Sequence, residues 1–583
     1  MHKRWIIAPP CDNEKVLKLS SELGVSNLLS ELLVQRGITT FDEAKAFFRP
    51  SLDMLHDPFL MNDMDKAVSR IESALRNNEK LMVYGDYDVD GTTSVALVYS
   101  FFKENGFDDI IFYIPDRYSE GYGISYRSID FADEQGVGLV IALDCGIKAV
   151  DKVDYAKQKG IDFIICDHHR PDTEIPAAIA VLDNKRVDST YPYDELSGCG
   201  VGFKLIQAYA QKNNIASDKL KKYLDLVAIS IASDLVPITG ENRVLAFYGL
   251  KALNLKPRPG IIAVLEAANI RANNDSNNKQ FFDRELTIND LVFSVGPRVN
   301  AAGRIKNGED SVELLISQDE EIAKHYASKI NTFNNERRNL DTQTTQEALE
   351  IISSSEKLKN SLSTVLYKPE WHKGVLGIVA SRLTEVYYRP TIVLSESNGM
   401  LTGSARSIKN FDIYNAIEEC SDLLEHFGGH TYAAGLSIKP ENFEAFVNKF
   451  EKVVEKNINK EMLVPEIEID AEINLNQITG KFIRILKQFA PFGPENMSPI
   501  FVTRNVKDTG YARIVGKNHI KMDVFQETVR SNPFSAIAFQ LGEHFERIDK
   551  GEKFNICYHI EENEWNGVKT VQFNVKDISF DEV

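Results

Sequence analysis

The sequence predicts an α/β protein with a doubly wound parallel sheet, a long connecting helix, a smaller α/β domain and a C-terminal β-barrel. Three observations predict this fold. From Lys80 to about residue 245, short apolar runs alternate with amphipathic segments. Residues 319–355 are polar, contain no Gly or Pro, and carry apolar residues at helical spacing. Residues 465–583 are rich in segments that alternate apolar and polar side chains. These patterns are typical of buried parallel strands between helices, of one long helix, and of half-buried antiparallel strands.

The composition excludes several classes of protein. The chain has 583 residues, which suggests roughly three to five domains. Its net charge of −18 argues against a protein that coats nucleic acid through bulk charge. The six cysteines form no CxxC pair, which argues against a disulfide scaffold or a thiolate zinc site and predicts a reducing, cytoplasmic location. No stretch approaches the roughly 20 apolar residues of a membrane span, and the apolar run before Pro9 is too short for a signal peptide.

The predicted elements divide the chain into five segments. Residues 1–78 carry Leu and Phe at helical spacing and are predicted to form a helical lead-in. The doubly wound domain takes residues 79–318, and the connecting helix takes residues 319–355. The smaller α/β domain follows at 356–458, and the barrel occupies 459–583.

The strands of the doubly wound domain are predicted from short apolar runs, which lie at 81–84, 110–114, 139–143, 163–166 and 179–182. Helices are predicted between them, at 92–105, 125–136 and 148–160. This alternation of strands and helices favours a parallel sheet with helices on both faces.

Acids and histidines follow three of these runs directly. GDYDVDG follows the first run, DCG the third and DHH the fourth, and an SD pair ends the later apolar stretch LVAISIAS. These motifs contain Asp86, Asp88, Asp90, Asp144, Asp167, His168, His169 and Asp234. Because the carboxyl ends of parallel strands open into one crevice where ligands bind, we expect these side chains to converge.

Carboxylates that converge in one crevice repel each other unless a cation neutralises them. Asp and His ligands without thiolate favour Mn²⁺ or Mg²⁺ over structural zinc. With about four to six such ligands, a bridging carboxylate would hold two ions about 3.5–4 Å apart, an arrangement suited to phosphoryl hydrolysis. A single Asp at a strand end is usually a helix cap or a turn residue, and we interpret Asp116, Asp183 and Asp194 in that way. The ordered set after several strands instead indicates a metal centre.

The four ordered motifs GDYDVDG, DCG, DHH and SD resemble those of the DHH phosphoesterase superfamily. The later FGGHTYAAG resembles the GGH motif of its partner domain, DHHA1. The segments PDRYSEGYG, FSVGPRVNAAGR and GSARS make the chain most similar to the RecJ family of bacterial single-strand-specific exonucleases. This resemblance implies a hydrolase that binds two Mn²⁺ or Mg²⁺ ions and degrades single-stranded DNA 5′→3′ to mononucleotides. It also implies a role in DNA recombination and repair, with a helicase and a single-strand-binding protein as possible partners.

The resemblance implies a role for each residue of these motifs. The implied metal ligands are Asp88, Asp90, Asp144, His168 and Asp234, with Asp144 as the bridge and Asp86 as a further ligand or a neighbouring acid. Tyr84 stands where many relatives have a His ligand of the first metal. Asp167 is expected to orient His168, and His169 to face the scissile phosphate.

The resemblance also implies a set of substrate-binding residues. They are Arg117, Arg298, Asn300, Arg304, Ser404, Arg406, Gly428, Gly429 and His430, and His430 is further expected to take part in catalysis. Arg suits phosphate because its donors form a fork. Arg117, Ser404 and Arg406 match a pocket for a 5′-phosphate, which would set the polarity of hydrolysis. The alternative for any single Arg is a surface ion pair, and the alternative for the Gly pair is a plain turn.

The C-terminal barrel contains a basic window. Residues 481–521 hold eight Lys and Arg residues against Glu495 and Asp508, with Phe and Tyr interleaved. A basic face with aromatics on a small barrel resembles an OB-fold that binds single strands through charge and stacking. The alternative is that the aromatics form the barrel core and the lysines a solvated face.

Two other functions stay open at this point. One is a DHH enzyme that acts on small nucleotides or oligoribonucleotides, although such relatives resemble the central domains alone. The other is a non-catalytic DHH scaffold that binds single-stranded DNA, although this chain retains the whole set of acids.

Overall fold

The computed structural model describes residues 3–273, 280–529, 531–565 and 568–581. The chain forms two compact units. Unit 1 comprises Leu340–Ala490 and the described parts of Met1–Phe48 and Met497–Val583. Unit 2 comprises Arg49–Asn339, with Pro491–Asn496, apart from the part of this range that lies outside the described residues. The five-segment division remains a prediction, and the units cut the lead-in after Phe48.

The lead-in contains a strand that the sequence analysis did not predict. It begins with β1 (Arg4–Ile7) and continues with α1 (Asn13–Leu23), α2 (Asn27–Gln35), α3 (Phe41–Phe48) and α4 (Met64–Arg76). The strand pairs in parallel with residues Glu466–Ile469. Four residues are too few to show a strand pattern, and the partner of this strand is distant in sequence, so the strand could not be predicted from local sequence.

Unit 2 is built on a five-stranded parallel sheet. Its strands are β2 (Lys80–Gly85), β3 (Ile110–Tyr113), β4 (Val137–Leu143), β5 (Asp162–Cys166) and β6 (Ala180–Leu182). The order across the sheet is β3-β2-β4-β5-β6, and every pair is parallel. All five predicted strands are therefore confirmed.

Apolar side chains cover both faces of this sheet. Along β2, Leu81 and Val83 belong to one buried cluster, and Met82 and Tyr84 belong to another. Helices pack on each face, so the sheet is doubly wound as predicted. The helices of unit 2 after α4 are α5 (Val89–Glu104), α6 (Tyr126–Glu134), α7 (Val150–Gln158), α8 (Gly198–Lys212), α9 (Leu224–Asp234), α10 (Gly240–Leu255), α11 (Pro259–Ala267), α12 (Ile288–Asp290), α13 (Gly296–Ile305) and α14 (Glu309–Ile316). One π-helical turn, Leu291–Val295, leads into α13.

The predicted long helix is present as α15 (Glu320–Ser354), with 35 residues. It is followed by α16 (Glu356–Asn360) and then by a second α/β sheet in unit 1. That sheet contains β7 (Thr364–Tyr367), β8 (Thr391–Ser397), β9 (Met400–Arg406), β10 (Leu424–His430) and β11 (Ala433–Ile438), in the order β10-β11-β9-β8-β7. Its helices are α17 (Leu376–Tyr387), α18 (Ile413–Glu418) and α19 (Phe443–Asn457).

The C-terminal barrel is closed. Its elements are β12 (Glu466–Ile469), β13 (Ala471–Glu472), α20 (Gly480–Lys487), β14 (Phe501–Asp508), β15 (Arg513–Val515), β16 (His519–Gln526), β17 (Phe534–Ala538), α21 (Phe545–Asp549), β18 (Phe554–Trp565) and β19 (Val568–Ser579). Five strands follow one another as β14-β18-β19-β17-β16, and pairing of β14 with β16 closes the ring. The barrel is confirmed, with one parallel pair, β17 and β19, among antiparallel ones.

No helix in the described part of the chain combines the length and the apolar character that a membrane span requires.

Candidate active site

The carboxyl end of β2 carries the first acids of the site. Asp88 caps the N-terminus of α5 and accepts a hydrogen bond from the Gly91 amide at 3.0 Å. Gly91 lies so close to the preceding turn that a Cβ there would come within 2.3 Å of the Asp86 carbonyl oxygen. The turn between β2 and α5 therefore requires glycine at this position, and it brings the acids of GDYDVDG to the edge of the sheet.

Asp90 is buried and held by the N-terminus of α8. Its carboxylate accepts hydrogen bonds from the amides of Gly198 at 2.7 Å and Cys199 at 2.8 Å, and from the Ser230 hydroxyl at 2.7 Å. Backbone N–H groups at a helix N-terminus favour a negative charge. The fold thus fixes the position of this carboxylate next to His168.

Asp144 follows β4 in a left-handed backbone conformation, with φ of 57°. That conformation is uncommon for residues other than glycine and is several-fold enriched at Asp and Asn. The side chain is buried against Gly198, where a Cβ would come within 2.6 Å of the Asp144 Cβ. The backbone strain and the close packing together fix where the Asp144 carboxylate lies.

The ring of His168 lies among three carboxylates. Its Nε2 is 3.1 Å from Asp144 Oδ1, 3.6 Å from Asp90 Oδ2 and 3.7 Å from Asp234 Oδ2. Its Nδ1 is buried and has no hydrogen-bond partner among the described residues. Asp234 reaches the site from the end of α9, not from a strand.

Two groups of possible metal ligands share this histidine. Asp144, His168 and His169 offer ligand atoms that all lie within 4.8 Å of one another, and so do Asp90, His168 and Asp234. Asp86 and Asp88 belong to neither group. The structure therefore brings most of the predicted ligands together, with these two acids at the margin.

The charges of the site suit divalent cations. Burial raises the pKa of Asp144 well above its usual range, and the charges of Asp90 and Asp88 raise it further. Partial burial and the same two charges raise the pKa of Asp234, whose side chain is 32% exposed, to about 8. Raised pKa values mean that negative charge on these carboxylates is unfavourable where they lie, and a divalent cation that takes the place of the protons would relieve that cost. The donor set, oxygen and imidazole without thiolate, fits Mn²⁺ or Mg²⁺.

The predicted role of Asp167 in orienting His168 stays a prediction, and its contacts lie mainly with other groups. The Asp167 carboxylate accepts from the Ile147 amide at 2.9 Å and bonds to His169 Nδ1 at 2.8 Å. It reaches His168 only through that residue's backbone amide, at 2.8 Å. The Ile147 amide holds the carboxylate on the β4 side, whereas the His168 ring turns toward Asp144.

The pair of Asp167 and His169 is a charge-assisted hydrogen bond. Burial works to raise the pKa of Asp167, but the hydrogen bond and charge of His169 outweigh it and bring the pKa to about 2. Burial works to lower the pKa of His169, but Asp167 raises it to about 9. His169 is therefore a fixed, positively charged ring at the surface of the site.

Sequence reasoning missed the role of Tyr122. Its hydroxyl donates to the Asp144 carbonyl at 3.0 Å and lies 3.1 Å from His169 Nε2. The signal was its place in PDRYSEGYG, between two glycines. Tyr84, in contrast, is buried and donates its hydroxyl to the Gly123 carbonyl at 2.6 Å, so it forms part of the wall of the site.

Asp86 lies beside this wall. One of its oxygens accepts from the Gly123 amide at 3.3 Å, and the other is buried without a partner in the described residues. Burial raises its pKa well above the usual range. It has the character of a neighbouring acid that still has an open acceptor.

The predicted phosphate ligands of unit 2 differ in how many other groups of the chain they already contact. Arg117 lies 4.9 Å above the Tyr87 ring, and no described carboxylate forms a salt bridge with it. Arg298 donates to the carbonyls of Ser294 at 2.8 Å and Ala267 at 3.4 Å and to the Asn331 amide oxygen at 3.2 Å. These hydrogen bonds give it a structural role that links separate segments of unit 2. Asn300 and Arg304 are half-buried on α13.

In unit 1, four predicted residues lie on one face of the second sheet. Ser404 pairs with Gly435, and Gly435 pairs with Gly428. Arg406 pairs with Ala433, and Ala433 pairs with His430. Residues that pair directly, and residues two apart on a strand, point to the same face, so Ser404, Arg406, Gly428 and His430 share it.

This face carries a cation that lacks an acidic partner. Burial lowers the pKa of Arg406, and no described carboxylate forms a salt bridge with it. A Cβ at Gly377, in the first turn of α17, would come within 2.8 Å of its guanidinium. Gly429 allows β10 to approach β11, since a Cβ there would lie 2.3 Å from the Ala433 carbonyl. Ser404, Arg406 and the start of α17 thus form a polar corner suited to an anion.

The alternative reading holds for part of the basic window of the barrel. Phe482, Phe489 and Phe501 are buried core residues, whereas Tyr511 is 70% exposed. Lys487, Arg504 and Lys507 form salt bridges with acids of the chain. Arg513, Lys517 and Lys521, around β15 and β16, form none with the described residues.

Family models match three parts of the chain. The DHH family N-terminal domain matches residues 80–231, the DHHA1 domain matches 360–456, and the RecJ OB domain matches 469–577. These ranges coincide with the parallel sheet, the second sheet and the barrel.

Relatives align along nearly the whole chain. The single-stranded-DNA-specific exonuclease RecJ of Bacillus subtilis is 35% identical over 99% of this chain and 71% of its own length. The protein with the same description from Escherichia coli is 31% identical over 94% of this chain and 95% of its own length.

Solved structures have the same fold. RecJ of Thermus thermophilus in complex with Mn²⁺ superposes with a TM-score of 0.82 at 24% identity, over 100% of this chain and 80% of that one. An exonuclease RecJ bound to manganese is 27% identical, with a TM-score of 0.58 over 70% of this chain and 97% of that one.

Proposed function

Because the chain belongs to the RecJ family of single-stranded-DNA-specific exonucleases, we propose that it hydrolyses single-stranded DNA from the 5′ end with two divalent cations. The products are mononucleotides, and the process served is DNA recombination and repair. One observation carries this proposal: His168 Nε2 lies within 3.7 Å of carboxylates from Asp90, Asp144 and Asp234. Carboxylates gathered around one imidazole destabilise the folded protein when no metal is bound. With bound metal ions, the same groups serve as ligands for phosphoryl hydrolysis.

The proposed ligands of the cations, Mn²⁺ or Mg²⁺, are the acids and the histidine at the carboxyl edge of the sheet. They are Asp88, Asp90, Asp144, His168 and Asp234, with Asp144 as the bridge and Asp86 as a supporting acid. When bound, such ions supply Lewis acidity toward the scissile phosphate and lower the pKa of a bound water.

The chain itself supplies positive charge and orientation next to the cations. His169 is proposed to face the scissile phosphate, because Asp167 fixes its Nδ1 at 2.8 Å and keeps it protonated. Its ring is 39% exposed, which leaves it accessible to a substrate. Tyr122 positions the same ring through a contact of 3.1 Å. A protonated ring that is already held in place when the substrate binds stabilises the negative charge that develops on the phosphate during hydrolysis.

A second anion site is proposed to set the polarity. Ser404 and Arg406 would bind the 5′-terminal phosphate, supported by the half-buried guanidinium, which forms no salt bridge with a described acid, and by the adjoining start of α17. His430, on the same sheet face, would contact the substrate. Arg117 of unit 2 is proposed as a further phosphate ligand, because Tyr87 holds it and no described acid is paired with it.

The barrel is proposed to hold the strand outside the active site. Arg513, Lys517 and Lys521 offer cations for the backbone, and Tyr511 offers an exposed ring. We further propose a cytoplasmic location, which the six free cysteines support, and a helicase and single-strand-binding protein as partners, which the family suggests.

End-labelled substrates test the proposal. Single-stranded DNA labelled at the 5′ or the 3′ end is incubated with the protein and Mn²⁺, with and without EDTA. We expect immediate release of labelled mononucleotide from the 5′ label, gradual shortening of the 3′-labelled strand, and no reaction with EDTA. Shortening that starts at the 3′ end would contradict the polarity, and an intact strand with Mn²⁺ would contradict the activity.

A further inference from the structure

A polar cavity lies beside the metal centre, at the carboxyl end of β6. Its volume is about 670 Å³, within the range of about 300–1,000 Å³ that is common for ligand pockets. It is lined by Arg170, the residue after His169, and by Asn184 and Lys185, which follow β6 closely. None of these three residues has a part in the proposed site.

The strand order places this cavity on one flank of the site. Across the sheet the order is β3-β2-β4-β5-β6. Arg117 follows β3, the acids and histidines follow β2, β4 and β5, and the cavity follows β6. The carboxyl edge of the sheet therefore presents a cation, then the metal ligands, then this cavity.

The cavity presents two cations and one acceptor to a ligand. Arg170 is exposed and forms no salt bridge with any described acid. Asn184 is 3% exposed, and its amide oxygen is buried without a partner in the described residues. Lys185 pairs with Glu195 at 3.5 Å, a partly exposed contact that a stronger anion can replace.

Lys185 lies within electrostatic range of the metal ligands. Burial lowers the pKa of His168 and raises that of Asp234, and the positive charge of Lys185 acts to lower both. The back wall is rigid, because Arg186 pairs with Asp63 at 2.8 Å and with Asp188 at 2.7 Å. The cavity thus has a fixed wall and two adaptable cations next to the place of hydrolysis.

We propose that this cavity binds the retained strand, with Arg170 and Lys185 on the phosphate that follows the scissile one. The proposal rests on the proposed function. If Arg117 on the β3 flank contacts the 5′ side of a strand and the first linkage lies over the metal ligands, the rest of the strand has to leave on another side. The β6 flank continues the same edge and offers Arg170, and Lys185 with its partly exposed partner, for the next phosphate.

Asn184 adds a contact of a different kind. Its open amide oxygen accepts a hydrogen bond from an amino or hydroxyl group, which a nucleoside offers and a bare phosphate does not. The residues that line the cavity therefore suit a whole nucleotide of the retained strand. Asp194 and Glu195 also line the cavity.

Substrate length provides the test. A 5′-phosphorylated dinucleotide has one linkage to hydrolyse and no phosphate beyond it, whereas a longer oligonucleotide has both. For R170A/K185A we expect a rise of about tenfold in KM on the oligonucleotide with little change in kcat, and unchanged kinetics on the dinucleotide. K157A, which removes an exposed lysine of α7, is the matched control and should resemble the wild type on both.

A neutral linkage identifies the phosphate. A methylphosphonate placed directly 3′ of the scissile linkage should weaken wild-type binding about tenfold and add little to the loss in R170A/K185A. Equal losses of the variant on both substrate lengths, or full additivity with the neutral linkage, would overturn the inference while the activity stands. A wild type that cleaves neither substrate with Mn²⁺ would overturn the proposed function as well.

Discussion

The candidate cation-binding region of unit 2 and the candidate anion-binding region of unit 1 carry opposite charges, but in both of them burial shifts the pKa of the charged groups. In unit 2, acids surround His168, and burial raises the pKa values of Asp144 and Asp234. In unit 1, burial lowers the pKa of Arg406, which has no salt bridge to a described acid. Each region carries a charge that the fold does not neutralise. The difference in sign agrees with the proposed ligands, metal cations in one region and a phosphate in the other.

The largest effect is expected from removing Asp144, the acid that we propose as the bridge between the two cations. D144A should reduce hydrolysis of single-stranded DNA by at least about a thousandfold, because the cations lose their common ligand. Binding of the strand, measured by fluorescence anisotropy, should stay within a few-fold, since other surfaces hold it. D154A, an exposed acid on α7, is the control. Residual hydrolysis above roughly a tenth of the wild-type rate would refute the bridging role.

Metal should also stabilise the folded protein. A ligand at a hundredfold excess over its Kd adds about 2.7 kcal/mol to the free energy of unfolding for each site. We therefore expect Mn²⁺ to raise the Tm of the EDTA-treated wild type and to raise that of D144A much less. Thermal unfolding followed by circular dichroism measures this without any substrate. Equal shifts in the two proteins would place the ions elsewhere.

The stability of the metal-free protein should depend on pH. The folded pKa of Asp234 is about 8, against roughly 3.9 in an unfolded chain, so the folded state keeps a proton that the unfolded state has lost. Stability should therefore fall as the pH rises from about 4 to about 8. Tm values across this window should decline less for D234N and least for the wild type with Mn²⁺. A Tm of the metal-free wild type that does not change with pH would show that the pKa values of its acids are not raised.

The region in unit 1 should show a smaller effect. R406A should lower the preference for a 5′-phosphate over a 5′-hydroxyl end by about tenfold, because one charge-assisted contact is lost. The measurement is the ratio of kcat/KM on the two substrates. K439A removes an exposed lysine near the end of β11 that pairs with Glu425, and it should leave the ratio unchanged. An unaltered ratio in R406A would assign the phosphate to other residues.

The smallest effect is expected from the barrel. R513A/K517A should weaken binding of single-stranded DNA by a few-fold and reduce the slope of log K against log salt by roughly 1.4. K507A is the contrast, since this lysine already pairs with Glu527 at 2.9 Å. Equal slopes for R513A/K517A and the wild type would mean that the strand does not contact this face.

Much of this fold could be predicted because its signals are local. The apolar run at 81–84 became β2, and the polar stretch at 319–355 became α15. Contacts made at a distance could not be predicted in this way. Asp167 binds the ring of His169 and not that of His168, and the choice depends on where the Ile147 amide lies.

The candidate site shows the same limit. The motifs named the acids, but only the structure shows that Asp90 is held by the start of α8 and that Arg298 is already occupied by backbone carbonyls. The sequence also treated Asp183 as a cap or turn residue, and its carboxylate does accept from the Lys185 amide at 2.7 Å. The neighbouring cavity corresponds to no sequence motif, because Arg170 and Lys185 come from separate loops.

The pairing of β1 with β12 has a consequence for how the chain is made. Arg4 and Glu466 are 462 residues apart, so the first strand emerges long before its partner exists. At about 5–20 residues per second, a ribosome needs roughly 20 to 90 s to close that interval. Unit 2 is nearly continuous in sequence and is almost complete by Asn339, whereas unit 1 joins the earliest and latest parts of the chain. The segment Arg4–Ile7 therefore has no strand partner until Glu466–Ile469 has been made.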